Sequence, residues 1–217
     1  MSTNIDYWEK IIKNPTESYK RLFEEQKKYL TEHIKKNSSV LDIGCGDGKN
    51  IETILLVTDS ITGIDNDQKA VDHAKKNLLS KPSVKILLGN ALALPFPNNS
   101  FDFIVFFDIL ENLERHKVAA LIEASRVLKK DGEIFLGSYS EDAFDERIKI
   151  YKRDNIPIAK IDGTKVVFDK SVGANESEQF SEKELRDLSI AADLKMSDVV
   201  NIDHIGYICT LKKYLDL

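Results

Sequence analysis

The sequence predicts an α/β fold built on a doubly wound parallel sheet, with helices on both faces. Three observations carry this. Between residues 40 and 139, short apolar runs alternate with segments of helical periodicity, the pattern of βαβ units. One run, FDFIVFFD (101–108), is almost wholly apolar, as expected of a strand covered on both faces. A glycine-rich turn, Gly44-Cys45-Gly46-Asp47-Gly48, directly follows the first run and opens a helix. Right-handed crossovers place the connecting helices on both sides.

The elements follow in order. Tyr7, Trp8, Ile11 and Ile12 predict a short helix, broken near Asn14-Pro15. Residues 17–36 form an amphipathic helix, with Tyr19, Leu22, Phe23, Leu30 and Ile34 near one face. VLDIG (40–44) is the first strand, followed by a helix over 48–57. ITGID (61–65) is the second strand, followed by a helix over 67–79 with Ala70, Val71, Ala74 and Leu78 at helical spacing. VKILLGN (84–90) and FDFIVFFD are the third and fourth strands; a helix over 115–129 leads to the fifth, EIFLGSY (133–139).

The alternation stops after Tyr139. Residues 141–155 read as a helix, and Asp162-Gly163 as a hairpin turn. The polar run SVGANESEQF (171–180) reads as a mobile loop. Ser181 and Glu184 form a capping box that opens a helix over 181–192. KMSDVVNI and IGYICTLKK are two strands joined by a tight turn at Asp203-His204. The organisation is one domain: a helical cap (1–38), a core (39–138), an insertion (139–180), and a last helix with two strands (181–217).

Composition narrows the function. The 217 residues are 42% hydrophobic and 31% charged, which excludes a disordered chain. No apolar run approaches the roughly 18 residues of a spanning helix, and MSTNIDYWEK lacks the apolar stretch of a signal peptide. The net charge of −5 disfavours a nucleic-acid partner, since phosphate contacts call for a basic surface. Lys27, Lys28, Lys35 and Lys36 read as a solvated helix face. The two cysteines, Cys45 and Cys209, match no metal-ligand spacing and fit a reduced, cytoplasmic protein.

The glycine turn discriminates among ligands. Its pattern is GxGxG, whereas the dinucleotide fingerprint is GxGxxG. Asp42, before the first glycine, suits a ligand with cationic groups, such as an ammonium and a sulfonium, better than a diphosphate. Asp65, 23 residues later at the end of the second strand, has two oxygens that can accept from ribose hydroxyls. Asn90-Ala91 follows the third strand and offers an amide to an adenine edge. Three such features at the carboxyl ends of successive strands point to a nucleoside pocket.

Together, VLDIGCGDG (40–48), GID (63–65), GNALALPF (89–96), FDFIVFFDILENL (101–113) and ASRVLKKDGEIFL (124–136) resemble the successive motifs of class I S-adenosylmethionine-dependent methyltransferases. The type 11 group, which includes ubiquinone-biosynthesis O-methyltransferases, is the most similar. The resemblance covers about residues 38–138, with weaker agreement at FSEKEL (180–185) and the last two strands. It implies a Rossmann-like, seven-stranded sheet of order 3-2-1-4-5-7-6, with only strand 7 antiparallel, and S-adenosylmethionine as cofactor. It implies that Asp42, Gly44 and Gly46 lie along the methionine portion, that Asp65 binds ribose, and that Asn90 and Ala91 contact adenine. Phe107 would contribute backbone at the methionine end, and Cys45, Gly48 and Asn66 complete the cofactor-binding set. Asn90 stands where the family usually has Asp. Leu110-Glu111-Asn112-Leu113 replaces the leucine-glutamate-histidine-leucine of many relatives; where that histidine acts as base or metal ligand, Asn112 cannot replace it.

The expected reaction is in-line methyl transfer to an oxygen or nitrogen of a small molecule, driven by positioning and desolvation, with a general base where the nucleophile needs one. Candidates at the carboxyl ends of the later strands are Asp108, Glu111, Tyr139 and His204; no metal is expected. Glu111 has a second reading, as a cap on the next helix. Asp102 reads as structural, His116 as a surface residue and Cys45 as a space-filler. Tyr7, Trp8 and Tyr19 are placed to lid the pocket. Phe144, Tyr151, Phe168 and Phe180 line either a substrate site or a satellite core. A monomer or homodimer fits equally. The competing readings are a protein or RNA methyltransferase, a non-catalytic module of the same fold and, given the glycine spacing, more distantly a dehydrogenase.

Overall fold

The computed structural model describes residues 10, 11, 14–172 and 175–214. The expected short helix with Tyr7, Trp8 and Ile12 lies outside them. The helix α1 (Glu17–His33) precedes the alternating unit: β1 (Val40–Ile43), α2 (Lys49–Ile54), β2 (Ile61–Asp65), α3 (Gln68–Asn77), β3 (Lys85–Leu88), β4 (Phe101–Phe107), α4 (Lys117–Val127) and β5 (Leu128–Tyr139). The insertion contributes α5 (Phe144–Arg153), β6 (Ile158–Asp162), β7 (Lys165–Phe168) and β8 (Glu176–Ser177). The chain closes with α6 (Glu182–Ala191), β9 (Leu194–Ile202) and β10 (Gly206–Lys213).

The main sheet has the order β3-β2-β1-β4-β5-β10-β9. Strands β1 to β5 pair in parallel, and β10 runs antiparallel to both neighbours. With β9 and β10 counted as sixth and seventh, this is the order the resemblance implies. No described helix is long and apolar enough to cross a membrane.

Strand periodicity explains the apolar run in β4. Phe103, Val105 and Phe107 enter one core layer, with Leu22, Ile51, Val71 and Phe135. Ile104 and Phe106 enter the opposite layer, with Leu41, Leu121, Val127 and Leu185. Successive side chains point to opposite faces, so a strand between two helix layers must be apolar throughout. Each fully buried side chain of this kind contributes about 1.5–3 kcal/mol. At the other end of β4, the Asp102 carboxylate accepts from Ser39 N (2.8 Å), Ser39 Oγ (2.7 Å) and Lys129 Nζ (2.9 Å), the structural role expected for it.

Two expectations change. The fifth strand begins at Leu128, paired with Phe101, and resumes with Glu133 opposite Phe103. The residues between bulge out, and Gly132 permits the bulge because a Cβ there would stand 2.7 Å from Asp102 O. The run 171–180 is not wholly a loop: Glu176–Ser177 pairs with β7, and Ser177, Gln179 and Phe180 are buried. Within the insertion, Tyr151 and Phe168 pack edge-to-face at 5.2 Å, and Phe180 joins the opposite core layer. These aromatics form core, and the cavity wall takes a different residue from the insertion.

The capping box at α6 is present. Ser181 Oγ accepts from Glu184 N, and Glu184 Oε2 accepts from Ser181 N at 2.8 Å. Ser181→Ala is expected to lower stability by about 1 kcal/mol. A denaturant melt should show a lower midpoint at unchanged slope; an unchanged midpoint would contradict the capping role.

Candidate active site

The site starts at the glycine turn. Gly44 N and Cys45 N both donate to Ile64 O, at 2.8 and 3.1 Å, and so tie the turn to β2. Gly44 has φ +71°, and a Cβ there would stand 2.3 Å from Ile109 Cγ2. Gly46 has φ +52°, and a Cβ there would meet nothing within 4 Å, so the turn is open at that point. Asp65 fixes the geometry: Oδ2 accepts from Gly46 N and Oδ1 from Asp67 N, both at 2.9 Å. An ionised carboxylate has about four acceptor positions, so two stay available to a ligand.

Asp42 lies beneath this turn, fully buried, with no hydrogen bond to either oxygen. Burial pushes its carboxyl up to about 8; Asn50 offsets part of that and the nearby Asp65 adds to it. An unpartnered buried carboxylate is costly unless a donor or positive charge meets it.

Beyond the turn lies a cavity of about 580 Å³. Tyr19, Phe23, Gln26 and Lys27 of α1 line it, as do Asn50 of α2 and Phe107, Asp108, Glu111 and Asn112 after β4. Tyr139 and Arg147 complete the inner wall. Asp108 has a left-handed backbone (φ +57°), and its Oδ2 accepts from Gln26 Nε2 at 2.9 Å. Glu111 Oε1 accepts from Ser138 Oγ (2.8 Å) and Tyr139 N (2.9 Å). Asp108 Oδ1 and Glu111 Oε2 are buried without partners. Burial raises both carboxyls above their ordinary range, and Asp108 raises Glu111 further. Burial also holds the Tyr139 phenol well above its usual value, with Asp108 adding to it, so the phenol stays protonated and acts as a donor.

Arg147 is 2% exposed. Its guanidinium lies 3.4 Å from the Tyr139 ring centroid and donates to Tyr19 OH (2.7 Å), Ser177 Oγ (2.8 Å) and Tyr151 OH. It joins the cap, the insertion and the end of β5.

The structure brings Gly44, Cys45, Gly46, Phe107, Asp108, Glu111 and Tyr139 to the cavity wall. Glu111 bonds back to β5 and does not cap α4. Burial pushes the Cys45 thiol up, consistent with a space-filling role. Gly48 opens α2 at φ +94°, packed against Leu78. Asn66, after β2, is exposed. Asn90 is exposed and its Oδ1 accepts from Leu92 N at 2.9 Å; neither it nor Ala91 lines the cavity. His204 is not brought to the cavity. It sits in the β9–β10 turn with its side chain 80% exposed, 3.5 Å from Asp142. Of the four lysines, Lys27 lines the cavity. Arg147, Gln26 and Asn50 escaped the sequence reading, and Phe23, expected on the apolar face of its helix, also lines the cavity. For Arg147 a signal existed: it shares the i, i+3, i+4 face with Ile150 and Tyr151, which are buried.

Asp42 makes stability depend on pH. Its folded carboxyl binds a proton more tightly than the unfolded one, which titrates near ~4. Raising the pH from there to about 8 therefore favours the unfolded chain, by up to about 1.4 kcal/mol per pH unit. Thermal melts should show the midpoint falling across this window, and falling less in Asp42→Asn. Asp108 and Glu111 act in the same direction, so some slope should persist; parallel slopes for the two proteins would contradict the assignment.

Residues 41–136 match the family described as a methyltransferase domain. A demethylmenaquinone methyltransferase of Staphylococcus aureus (strain JH9) is 31% identical over 138 residues, spanning 58% of this chain and 57% of that relative. Among solved structures, an S-adenosylmethionine-dependent methyltransferase from Methanosarcina mazei shares the fold at TM-score 0.68 and 22% identity, over 87% of this chain and 98% of that one. A Burkholderia thailandensis 1,6-didemethyltoxoflavin-N1-methyltransferase, with bound 1,6-didemethyltoxoflavin and S-adenosylhomocysteine, shares it at TM-score 0.68 and 16% identity, over 88% of this chain and 78% of that one. The matched span runs from inside β1 to inside β5 and so includes both the glycine turn and Asp65. That span is therefore similar to a methyltransferase domain, and the fold around it is the one shared with these solved methyltransferases.

Proposed function

We propose that the protein transfers a methyl group from S-adenosylmethionine to an oxygen or nitrogen nucleophile of a small molecule. The observation that carries this reading is the cavity of about 580 Å³ between the glycine turn and the Asp108–Glu111–Tyr139 wall. That volume suits a small ligand. The acidic balance of the chain favours it over an RNA target.

The residues fit the cofactor. Asp42 lacks a partner where a cationic ligand would relieve it, and Gly46 leaves open space above the turn. Gly44, Cys45 and Gly46 would present backbone to the methionine portion, with Phe107 beside them. Asp65 would accept from the ribose hydroxyls, and Asn90 and Ala91 would meet the adenine. When bound, S-adenosylmethionine supplies a methyl group on a positively charged sulfur. The chain supplies position and dryness: Tyr19 and Phe23 of α1 cover the cavity, and Asp108 and Glu111 are buried carboxylates able to take a proton there. Small acceptors are named for two of the similar proteins, demethylmenaquinone and 1,6-didemethyltoxoflavin.

Asp65→Ala should weaken S-adenosylmethionine binding more than tenfold, at least about 1.4 kcal/mol, by calorimetry. Unchanged affinity would refute the ribose role. With a labelled methyl group, label should enter a metabolite extract; label found solely in purified RNA or protein would overturn the small-molecule assignment.

A further inference from the structure

We propose that the inner end of the cavity selects an amine acceptor, bound as its ammonium by the free oxygens of Asp108 and Glu111. This rests on the methyl-transfer reading above and narrows its acceptor to nitrogen.

The two carboxylates are built alike. In each, one oxygen is pinned by the protein and the other has no partner: Gln26 holds Asp108 Oδ2, while Ser138 and the Tyr139 amide hold Glu111 Oε1. Glu111 is 1% exposed, so its free oxygen is shielded from bulk solvent. Both residues line the cavity. Two orphaned acceptors on one cavity wall call for a ligand that donates more than one hydrogen bond. An ammonium has up to three N–H donors, a neutral alcohol or phenol one, and a phenolate or carboxylate none.

The charge balance agrees. Arg147 is the buried cation of this wall, yet its donors go to Tyr19, Tyr151 and Ser177, and with the Gln179 amide turned to suit its neighbours Nε donates to that side chain too. Among the described residues no direct ion pair joins it to either carboxylate, although its charge acts on both from a distance, and the Tyr139 ring takes its face. With both ionised, the two carboxylates outnumber the one guanidinium, an excess of negative charge that a bound ammonium neutralises and an anionic acceptor aggravates. Tyr19, Phe23 and Tyr139 line the same cavity, and aromatic rings favour a nearby cation.

The chemistry balances without a further reactant. The bound ammonium gives one proton to a carboxylate. The nitrogen lone pair so freed forms the N–C bond while the C–S bond breaks, its electron pair remaining on sulfur. The N-methylated product leaves as an ammonium, and the proton on the carboxylate passes to solvent.

The test separates this inference from its parent. A metabolite extract is divided by cation exchange into a cationic pool and a neutral-plus-anionic pool, and each is incubated with protein and labelled cofactor. Label is expected in the cationic pool. Label confined to the other pool overturns the amine assignment and leaves methyl transfer standing; no label in either pool overturns both. Calorimetry with the S-adenosylhomocysteine-bound protein and the cationic pool supplies a readout that does not need turnover. Glu111→Gln and Asp108→Asn, each keeping its pinned oxygen, should lose amine binding more than tenfold and keep S-adenosylhomocysteine affinity within about threefold, roughly 0.6 kcal/mol. Equal loss of both ligands, or retention of amine binding by both variants, overturns the proposal.

Discussion

The site depends on one close approach, that of the Gly44 backbone to the Ile109 side chain. A Cβ at Gly44 would fall 2.3 Å from Ile109 Cγ2, so β1 and the segment after β4 meet only because that atom is absent. The meeting sets the separation between the glycine turn and Asp108, and with it the width of the cavity. Asp65 holds the turn from the other side, through Gly46 N, while the Gly44 and Cys45 amides are spent on Ile64 O. Sheet pairing thus fixes the floor, and the missing side chain lets the acidic wall come close to it.

The parts of this arrangement that were legible in the sequence share a physical cause. Where a strand is covered on both faces, burial dictates an apolar run, and β4 announces itself. Where a turn needs positive φ, glycine is dictated, and Gly44, Gly46 and Gly48 announce the turn. Asp108 and Glu111 were reachable because they follow β4 directly. What stayed hidden depends on tertiary partners. Arg147 reads as one more charge on a charged helix until Tyr139, Tyr19 and Ser177 come together around it. The strand β8 has two residues, too few to show a period, and owes its pairing to β7. His204 sits on a turn whose topological position is right for a site, but the turn leaves its ring in solvent.

The two segments outside the cofactor core are not independent additions. Thr16 Oγ1 of the α1 cap donates to Glu146 on α5 at 2.8 Å, as does Ser18 Oγ, and Tyr19 OH accepts from Arg147. Gln26, on the same face of α1, reaches Asp108. Further along, Tyr29 meets Thr210 of β10 at 2.7 Å and packs edge-to-face on Phe135. The carboxyl-terminal half of the cap is anchored to the sheet by Tyr29, through its ring and its hydroxyl, and the amino-terminal half to the insertion through polar groups. The polar half is the part over the cavity, where it completes the hydrogen bonds of Asp108 and Arg147.

This division explains how the fold tolerates unpartnered charge. Asp42, Asp108 and Glu111 each leave a buried oxygen unsatisfied, and each such group costs on the order of 1–3 kcal/mol or more. Those three lie near the carboxyl end of β1 and in the segment after β4, against the two apolar layers, whereas the unpartnered oxygen of Glu176 on β8 faces Lys117 and Lys165. Replacing the three by apolar side chains would relieve that cost and remove the unpaired acceptors of the inner wall and the one beneath the glycine turn. Local instability of this kind is therefore the expected mark of a surface shaped for a positively charged ligand, and here it falls on both sides of the place where two ligands would have to meet.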